Sequence, residues 1–531
     1  MRASLSLFAL GAITTSAVAH KVVPLGFSRG SHNKPLSKRD STFSQQITNN
    51  LTGGGYFANV ALGTPPQPVT LILDTGSSDV WVLDTHANLC NSNALQFQYG
   101  DCLATYDPAN SSTYQALQDK FDIEYLDGSG AEGIYIKDDF QIAGTTIKAL
   151  QVGLAENTTI NSGLLGIGFD TNVAARKVYR NIIDLFVDQK LIHTQAYSLY
   201  LNDLDAQIGT ILFGGIDTKK FIGELKVVDI MPDAQSKIYS SFTVSLDSVT
   251  VASGSNSPGD NYLQDSIPVV LDSGTTLTYL PPQTANQIYK AFGAVDDSQN
   301  SGVVFINCDI PSSQKDATVD FQFGGSGGPL VKVPLNELVL DNLKGAASFI
   351  DLPKLPFDNV CSFGIQGLSD SYLLGDTFLR SAYVVYDLSA KKIGLAQGNE
   401  NDSETNVIEI TTSGIPLVSG VASQVSSTPT SPPNSGSSTI SGSSSSSSPS
   451  SGSGSGSGSN SGSGSNSGSN SAPGSGSTSG SGPSPTGAHE PNQSTPGSPA
   501  ARVVPALNWE AAAVTLVAAF CSFTGATLFM I

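Results

Sequence analysis

Two aspartates end apolar strands in nearly the same surroundings. Asp74 closes Leu71-Ile72-Leu73 and is followed by Thr75-Gly76-Ser77-Ser78. Asp272 closes Val269-Val270-Leu271 and is followed by Ser273-Gly274-Thr275-Thr276. A carboxylate at the end of a buried strand costs free energy unless something satisfies it. Two such carboxylates, 198 positions apart, imply two homologous half-structures that present them to each other. A close carboxylate pair resists losing both protons, so an acid and a base share one site. Water-mediated hydrolysis requires that combination. One Asp-Ser/Thr-Gly alone is often a plain turn; two, each after an apolar strand, are not explained that way. Gly324-Gly325-Ser326-Gly327-Gly328 fits G-x-S-x-G, but Pro329 and a strand-like run follow where a nucleophile elbow needs a helix. It reads as a hairpin turn. His86 and His193 sit in polar, loop-like settings without a partner signature, which argues against a Ser-His or Cys-His hydrolase. The cysteine spacings fit no zinc site; neither metal nor cofactor is expected.

Asp74-Thr75-Gly76-Ser77 and Asp272-Ser273-Gly274-Thr275 resemble the paired catalytic loops of the pepsin-like aspartic proteases. The resemblance runs in order over roughly residues 54–397. Trp81 follows the first loop at the family's spacing, and Tyr125 in Ile123-Glu124-Tyr125-Leu126-Asp127-Gly128-Ser129 matches the flap. Gly163-Leu164-Leu165-Gly166-Ile167-Gly168 and Leu373-Leu374-Gly375-Asp376-Thr377-Phe378-Leu379-Arg380 match the segments beneath the two loops. The cysteine placement, short pro-segment and tail look most like the fungal yapsin-type and secreted aspartyl proteases. The resemblance implies Asp74 and Asp272 as the catalytic pair, with Thr75 and Ser273 bonded across the lobes. Ser77 and Thr275 would bond the outer carboxylate oxygens, and Gly76 and Gly274 would let the backbone turn beside the water. Tyr125, with Asp127 and Gly128 at the hairpin tip, would close over substrate, and the Trp81 indole would hold that tyrosine. Asp127 would favour a Lys before the cut bond or would simply cap the turn. An inactive pepsin-like binding protein and a structural surface glycoprotein are the competing readings. The first loses force because both aspartates and the flap tyrosine are kept.

The elements that must position these residues are mostly strands. Short alternating runs at Tyr56–Ala61, Val69–Leu73, Phe121–Tyr125, Gly133–Ile136 and Ile147–Val152 predict the first half. Phe242–Val251, Val269–Leu271, Thr318–Phe323 and Tyr383–Tyr386 restart the pattern in the second half. Helical spacing appears at Val178–Leu191 and Pro282–Phe292. The expected fold is mostly β and bilobal, with the cleft between two β-rich lobes at about 54–220 and 221–397. Of the five cysteines, Cys90 and Cys102 fall in one lobe, and Cys308 and Cys361 in the other. Three pairings of these four are open; pairing within each lobe gives Cys90–Cys102 and Cys308–Cys361. The stretch from Asp84 to Tyr106 is longer than in pepsin and reads as an exposed surface insertion or, alternatively, as a specificity or processing loop next to the cleft.

Outside the protease domain, expected at 40–400, the composition changes. Residues 1–19 read as a signal peptide, with Arg2, an apolar run and Ala17-Val18-Ala19. Residues 20–39 are basic, lack acidic residues and end in Lys38-Arg39, like a pro-segment removed at a dibasic site. Residues 401–500 read as a stalk that is Ser-, Gly- and Pro-rich, most densely from 424, with too little apolar surface to offset ordering entropy. Residues 501–531 end in an apolar run with no Lys or Arg behind it, which looks like a glycolipid-anchor signal; a retained helix is the alternative. Sequons occur at Asn50, Asn110, Asn157, Asn401 and Asn492. These features imply a monomeric, extracellular surface protein, held to the membrane by a glycolipid or associated with a cell wall. The formal net charge is −19. Without the six basic residues of the leader and without Arg502 and Glu510, 19 basic and 44 acidic residues remain, a net of −25. A surface that acidic disfavours nucleic acid and anionic membrane and leaves proteins and peptides as partners.

Overall fold

The computed structural model describes residues 43–49, 55–206, 208–253, 259–343 and 353–422. The signal and pro segments, Asn50, Asn492, most of the stalk and the apolar tail lie outside the described residues.

β1 (Phe43–Asn49) pairs antiparallel with β2 (Tyr56–Leu62). β2 buries Tyr56, Ala58, Val60 and Leu62, the period of two that a one-faced strand requires. The first lobe continues through β3 (Gln67–Asp74), β4 (Val80–Leu83), β5 (Gln115–Glu124), β6 (Gly130–Ile142), β7 (Thr145–Thr158) and β8 (Gly163–Gly166). Its sheet order is β2-β3-β8-β4-β7-β6-β5. β6 also returns to β2, opposing Ala61 to Gln141 and Leu62 to Phe140, so the sheet curls into a barrel. β5 and β6 form a long hairpin with Tyr125–Ser129 at its tip.

The second lobe repeats the arrangement around the other aspartate. β3 runs parallel to β8, pairing Asp74 with Gly166, and β4 packs antiparallel on β8. Correspondingly, the strand Ile267–Leu271 runs parallel to Leu373–Leu374, and Thr278–Leu280 packs antiparallel on it. This repeat is the homology that the two apolar-Asp runs implied. The glycines beneath the loops are required by contact. A Cβ on Gly166 would lie 2.5 Å from the Asp79 carbonyl oxygen, and one on Gly375 2.2 Å from that of Thr275.

A central sheet joins the lobes in the order Phe221–Asp229, Lys392–Gly398, Ala382–Asp387, Ala196–Tyr200, Ile208–Phe213, β1. Aromatic rings pack against it: Tyr197 stacks on Tyr386 at 4.9 Å, and Phe242 meets Tyr386 edge-on at 4.6 Å. Beside it lies a fully buried ion pair. Arg380 Nε donates to Glu337 Oε2 at 2.5 Å and Arg380 Nη2 to the Glu337 carbonyl at 2.7 Å.

Helices are few. α1 (Asn93–Tyr99) lies in the Asp84–Tyr106 insertion, whose ends are joined by Tyr106 N–H to Leu83 O at 2.8 Å. Phe97 and Leu103 of that insertion are 66% and 52% exposed. α2 (Ile182–Asp188) is shorter than the predicted 178–191. Asn181 stops it upstream by a reciprocal cap with Asp184, and Lys190 leaves the helical region with φ +60°. α3 (Pro282–Phe292) occupies the predicted span and ends at the left-handed Gly293. Disulfides link Cys90 to Cys102 and Cys308 to Cys361, with Cα–Cα distances of 5.4 and 5.2 Å. Gly324–Gly328 is a hairpin turn, with Gly324, Gly325 and Gly327 at positive φ.

The packed chain runs past the boundary expected at residue 400. Residues 399–422 form a strap across the central sheet. Val407–Glu409 pairs with Gly215–Asp217, and Val421 and Ser419 bridge to Ile222 and Glu224. Ile410 is fully buried in a cluster with Tyr200, Ile216, Phe221 and Tyr383. Isolated apolar residues in a polar stretch carry no periodicity, so composition marks the change only near residue 424. Among the described residues no helix is long and apolar enough to cross a membrane.

Candidate active site

β3 and Ile267–Leu271 deliver Asp74 and Asp272 to facing loops at the lobe junction. The loops hold each other reciprocally. Thr75 Oγ1 donates to Leu271 O at 2.9 Å and accepts from Ser273 N–H at 2.9 Å. Ser273 Oγ donates to Leu73 O at 3.0 Å and accepts from Thr75 N–H at 3.2 Å. All four groups are buried, so each would be costly left unpaired. Ser273 supplies the same bonds as Thr75 with one methyl fewer.

Each carboxylate is oriented within its own loop. Asp74 Oδ1 accepts from Gly76 N–H at 2.7 Å and Ser77 N–H at 3.2 Å, and Oδ2 accepts from the Ser77 hydroxyl. Asp272 Oδ1 accepts from Gly274 N–H at 2.8 Å, and Oδ2 accepts from Thr275 Oγ1 at 2.7 Å. Each glycine also faces the opposite aspartate. A Cβ on Gly76 would lie 2.5 Å from Asp272 Oδ1, and one on Gly274 2.5 Å from Asp74 Oδ1. Only glycine lets the two loops approach this closely. Burial first, then the charge of Asp272, pushes the Asp74 carboxyl up to about 7. The bonds from Ser77 and Gly76 work in the opposite direction. Beneath the second loop, burial holds Asp376 well above the usual carboxylate range despite Arg380 nearby.

The hairpin tip reaches this pair. Trp81 Nε1 donates to Tyr125 Oη at 2.9 Å. Burial, then the charge of Asp74, pushes the Tyr125 phenol well above its usual range. Gly128 takes φ +77° at the tip. Asp127 Oδ1 accepts from Ser129 N–H at 2.9 Å and Ser129 Oγ at 2.7 Å, a turn-capping role. Burial, with the charge of Asp127 added, pushes the Tyr279 phenol up.

The structure also brings in residues that the sequence did not single out. Asp79 is fully buried and accepts from Tyr135 Oη at 2.8 Å, Tyr179 Oη at 2.6 Å and Ala174 N–H at 2.7 Å. Asn172 Nδ2 donates to Gly76 O at 3.2 Å. Trp81, Phe121, Tyr135 and Tyr179 form a ring series at 6.1, 5.3 and 5.6 Å under the hairpin. The available signal was an acidic residue directly before the apolar run Val80–Leu83. Away from the site, Asn110, Asn157 and Asn401 are exposed, and His86 and His193 lie near Asp84 and Glu409.

Two strand-end carboxylates thus lie face to face beneath a tyrosine-tipped hairpin, the arrangement expected of an aspartic protease. Residues 55–398 match the family model described as eukaryotic aspartyl protease, and the chain belongs to that family. The probable aspartic-type endopeptidase opsB of Aspergillus oryzae is 39% identical over 444 residues, covering 80% of this chain and 86% of its own length. Secreted aspartic protease 3 of Candida albicans is 32% identical over 371 residues, 70% of this chain and 85% of its own. Among solved structures, the aspartic proteinase from Irpex lacteus shares the fold, with TM-score 0.53 at 22% identity over 69% of this chain and 100% of that one.

Proposed function

We propose that the protein is an extracellular aspartic endopeptidase in which Asp74 and Asp272 share one proton and one water. The observation that carries this reading is the reciprocal locking of the two loops, with each glycine set against the opposite carboxylate. The ionised carboxylate takes a proton from the water as its oxygen attacks the peptide carbonyl carbon. The protonated partner donates to the developing oxyanion. The carbon–nitrogen bond then breaks as the amine leaves with a proton from the pair. Tyr125, held by Trp81, closes over the bound peptide and excludes bulk water.

The upward shift of Asp74 sets the pH direction. The pair keeps its shared proton in acid and loses it as pH rises through about 7, so hydrolysis is present in acid and fades across neutrality. The test is cleavage of an unfolded protein from about pH 3 to 8, with and without a statine-type inhibitor. Activity that persists undiminished at pH 8, or that ignores the inhibitor, would overturn the reading. For specificity we propose hydrophobic residues beside the cut bond, with Lys or Arg tolerated before it through Asp127. The two bonds from Ser129 favour turn capping alone, and a loss of Lys cleavage in Asp127→Ser would favour the substrate role.

Location rests on the leader, the sequons and the tail, with the secreted Candida relative in support. We propose a mature protein carried on a glycolipid anchor beyond a Ser/Gly stalk and freed from its basic pro-segment at Lys38-Arg39. A phosphatidylinositol-cleaving phospholipase is expected to release it from membranes. A mature chain that still ends at Ile531 by mass spectrometry would replace the anchor with a retained helix.

A further inference from the structure

The segment after Phe169 leaves β8, the strand beneath the first active-site loop, and returns to α2. Its course is pinned at one point from both ends. Ala174 N–H and Tyr179 Oη both bond Asp79, at 2.7 and 2.6 Å, and Asn172 Nδ2 holds the Gly76 carbonyl at 3.2 Å. Ala175 and Tyr179 pack against the cluster that contains Trp81, and Tyr125 of the hairpin tip packs on the same cluster. The arc between the two anchors therefore lies beside the cluster that carries the hairpin tip. Arg176, Lys177 and Val178 are all exposed there.

The charge of this arc is out of character with the chain, which has 26 Lys and Arg against 45 Asp and Glu. Three other cations of the first lobe are paired. Arg180 bonds Asp184 at 3.1 Å and Asp188 at 2.8 Å, Lys120 bonds Asp122 at 2.7 Å, and Lys148 bonds Asp139 at 2.7 Å. Arg176 and Lys177 have no ion-pair partner among the described residues. Two adjacent free cations on an arc anchored at both ends form a fixed positive spot at the mouth of an acidic molecule. Anchoring at Asp79 also reduces the ordering cost of using that spot.

We propose that Arg176 and Lys177 are specificity residues that receive a carboxylate side chain of the substrate, at one position outside the two residues flanking the cut bond. The inference rests on the protease reading above. It differs from the general attraction of an acidic surface for basic peptides, because it is local and of opposite sign. An exposed ion pair of this kind is worth roughly a two- to fivefold change in kcat/KM, and salt at about 1 M would screen it.

The test uses pairs of peptides that differ only by Glu or Gln at each position around one cut bond, assayed near pH 5.5. There a substrate Glu is charged, with a usual pKa of about 4.3, and the catalytic pair keeps its proton. The enzymes are the wild type, Arg176→Ser/Lys177→Ser and Arg180→Ser. Wild type is expected to prefer Glu over Gln at one remote position, two- to fivefold, and to lose the preference in salt. Arg176→Ser/Lys177→Ser is expected to abolish it while cutting the Gln peptides at the wild-type rate, and Arg180→Ser to keep it. A wild type with no remote Glu preference overturns the proposal. So does a preference that survives in Arg176→Ser/Lys177→Ser, or one that Arg180→Ser removes equally. A wild type that cuts none of the Gln peptides instead marks the failure of the catalytic reading, and the rim assignment falls with it.

Discussion

Asp74→Asn and Asp272→Asn are each expected to fold and to lose peptide hydrolysis by at least about 10⁴-fold, since the pair supplies both the acid and the base. The substitution keeps size and shape. In Asp74→Asn the amide oxygen still accepts from Gly76 N–H, and the amide nitrogen turns to Ser77 Oγ, which can accept. What disappears is the proton that two facing carboxylates must share. Stability moves the other way. The Asp74 carboxyl is raised in the folded state, so it contributes stability below its ordinary pKa, and that contribution is lost as pH rises through about 7. A neutral Asn does not carry this penalty, so thermal unfolding of Asp74→Asn at pH 7 is expected at or above the wild-type temperature. Residual hydrolysis above about one part in a thousand in either purified variant would contradict the assignment.

Arg380→Met is expected to be the most damaging substitution away from the chemistry. It leaves the Glu337 carboxylate fully buried, with Leu204 N–H at 3.1 Å and Asn336 Nδ2 at 3.2 Å as its remaining partners among the described residues. Removing one member of a buried pair costs about 3–5 kcal/mol, because the remaining charge is uncompensated. Combining it with Glu337→Leu removes that charge and is expected to recover a large part of the loss. Denaturant midpoints of the two singles and the double measure this coupling. A double variant no more stable than Arg380→Met would mean that the damage comes from packing around the guanidinium.

The sequence revealed most where structure repeats or where one residue type is compulsory. Two apolar-Asp runs identified the facing loops because each half carries the same strand, hydroxyl and glycine in the same order. The alternation from Phe121 to Ile136 exposed the hairpin, and five residues dominated by glycine exposed the turn at 324–328. The reach of the glycines could not be read in the same way. Gly76 meets Asp272, and Gly274 meets Asp74, contacts that exist only once two distant loops come together. The same holds for Asp79, whose tyrosine partners lie 56 and 100 residues away, and for Glu337 and Arg380, 43 apart. Apolar spacing continues across Val178 and so predicts a longer α2, although Asn181 caps the helix three residues later. The strap is held by backbone pairing and a few buried side chains, neither of which leaves a compositional trace.

That strap decides where a mechanical load would enter the molecule. A pull on the chain beyond residue 422 first meets the bridges of Val421 and Ser419 to Ile222 and Glu224, and then the ladder between Val407–Glu409 and Gly215–Asp217. Those contacts must part before tension reaches Lys392–Gly398. The strap thus acts as a strain relief: a tug on the chain beyond residue 422 would peel residues 399–422 before it disturbed the alignment of Asp74 and Asp272.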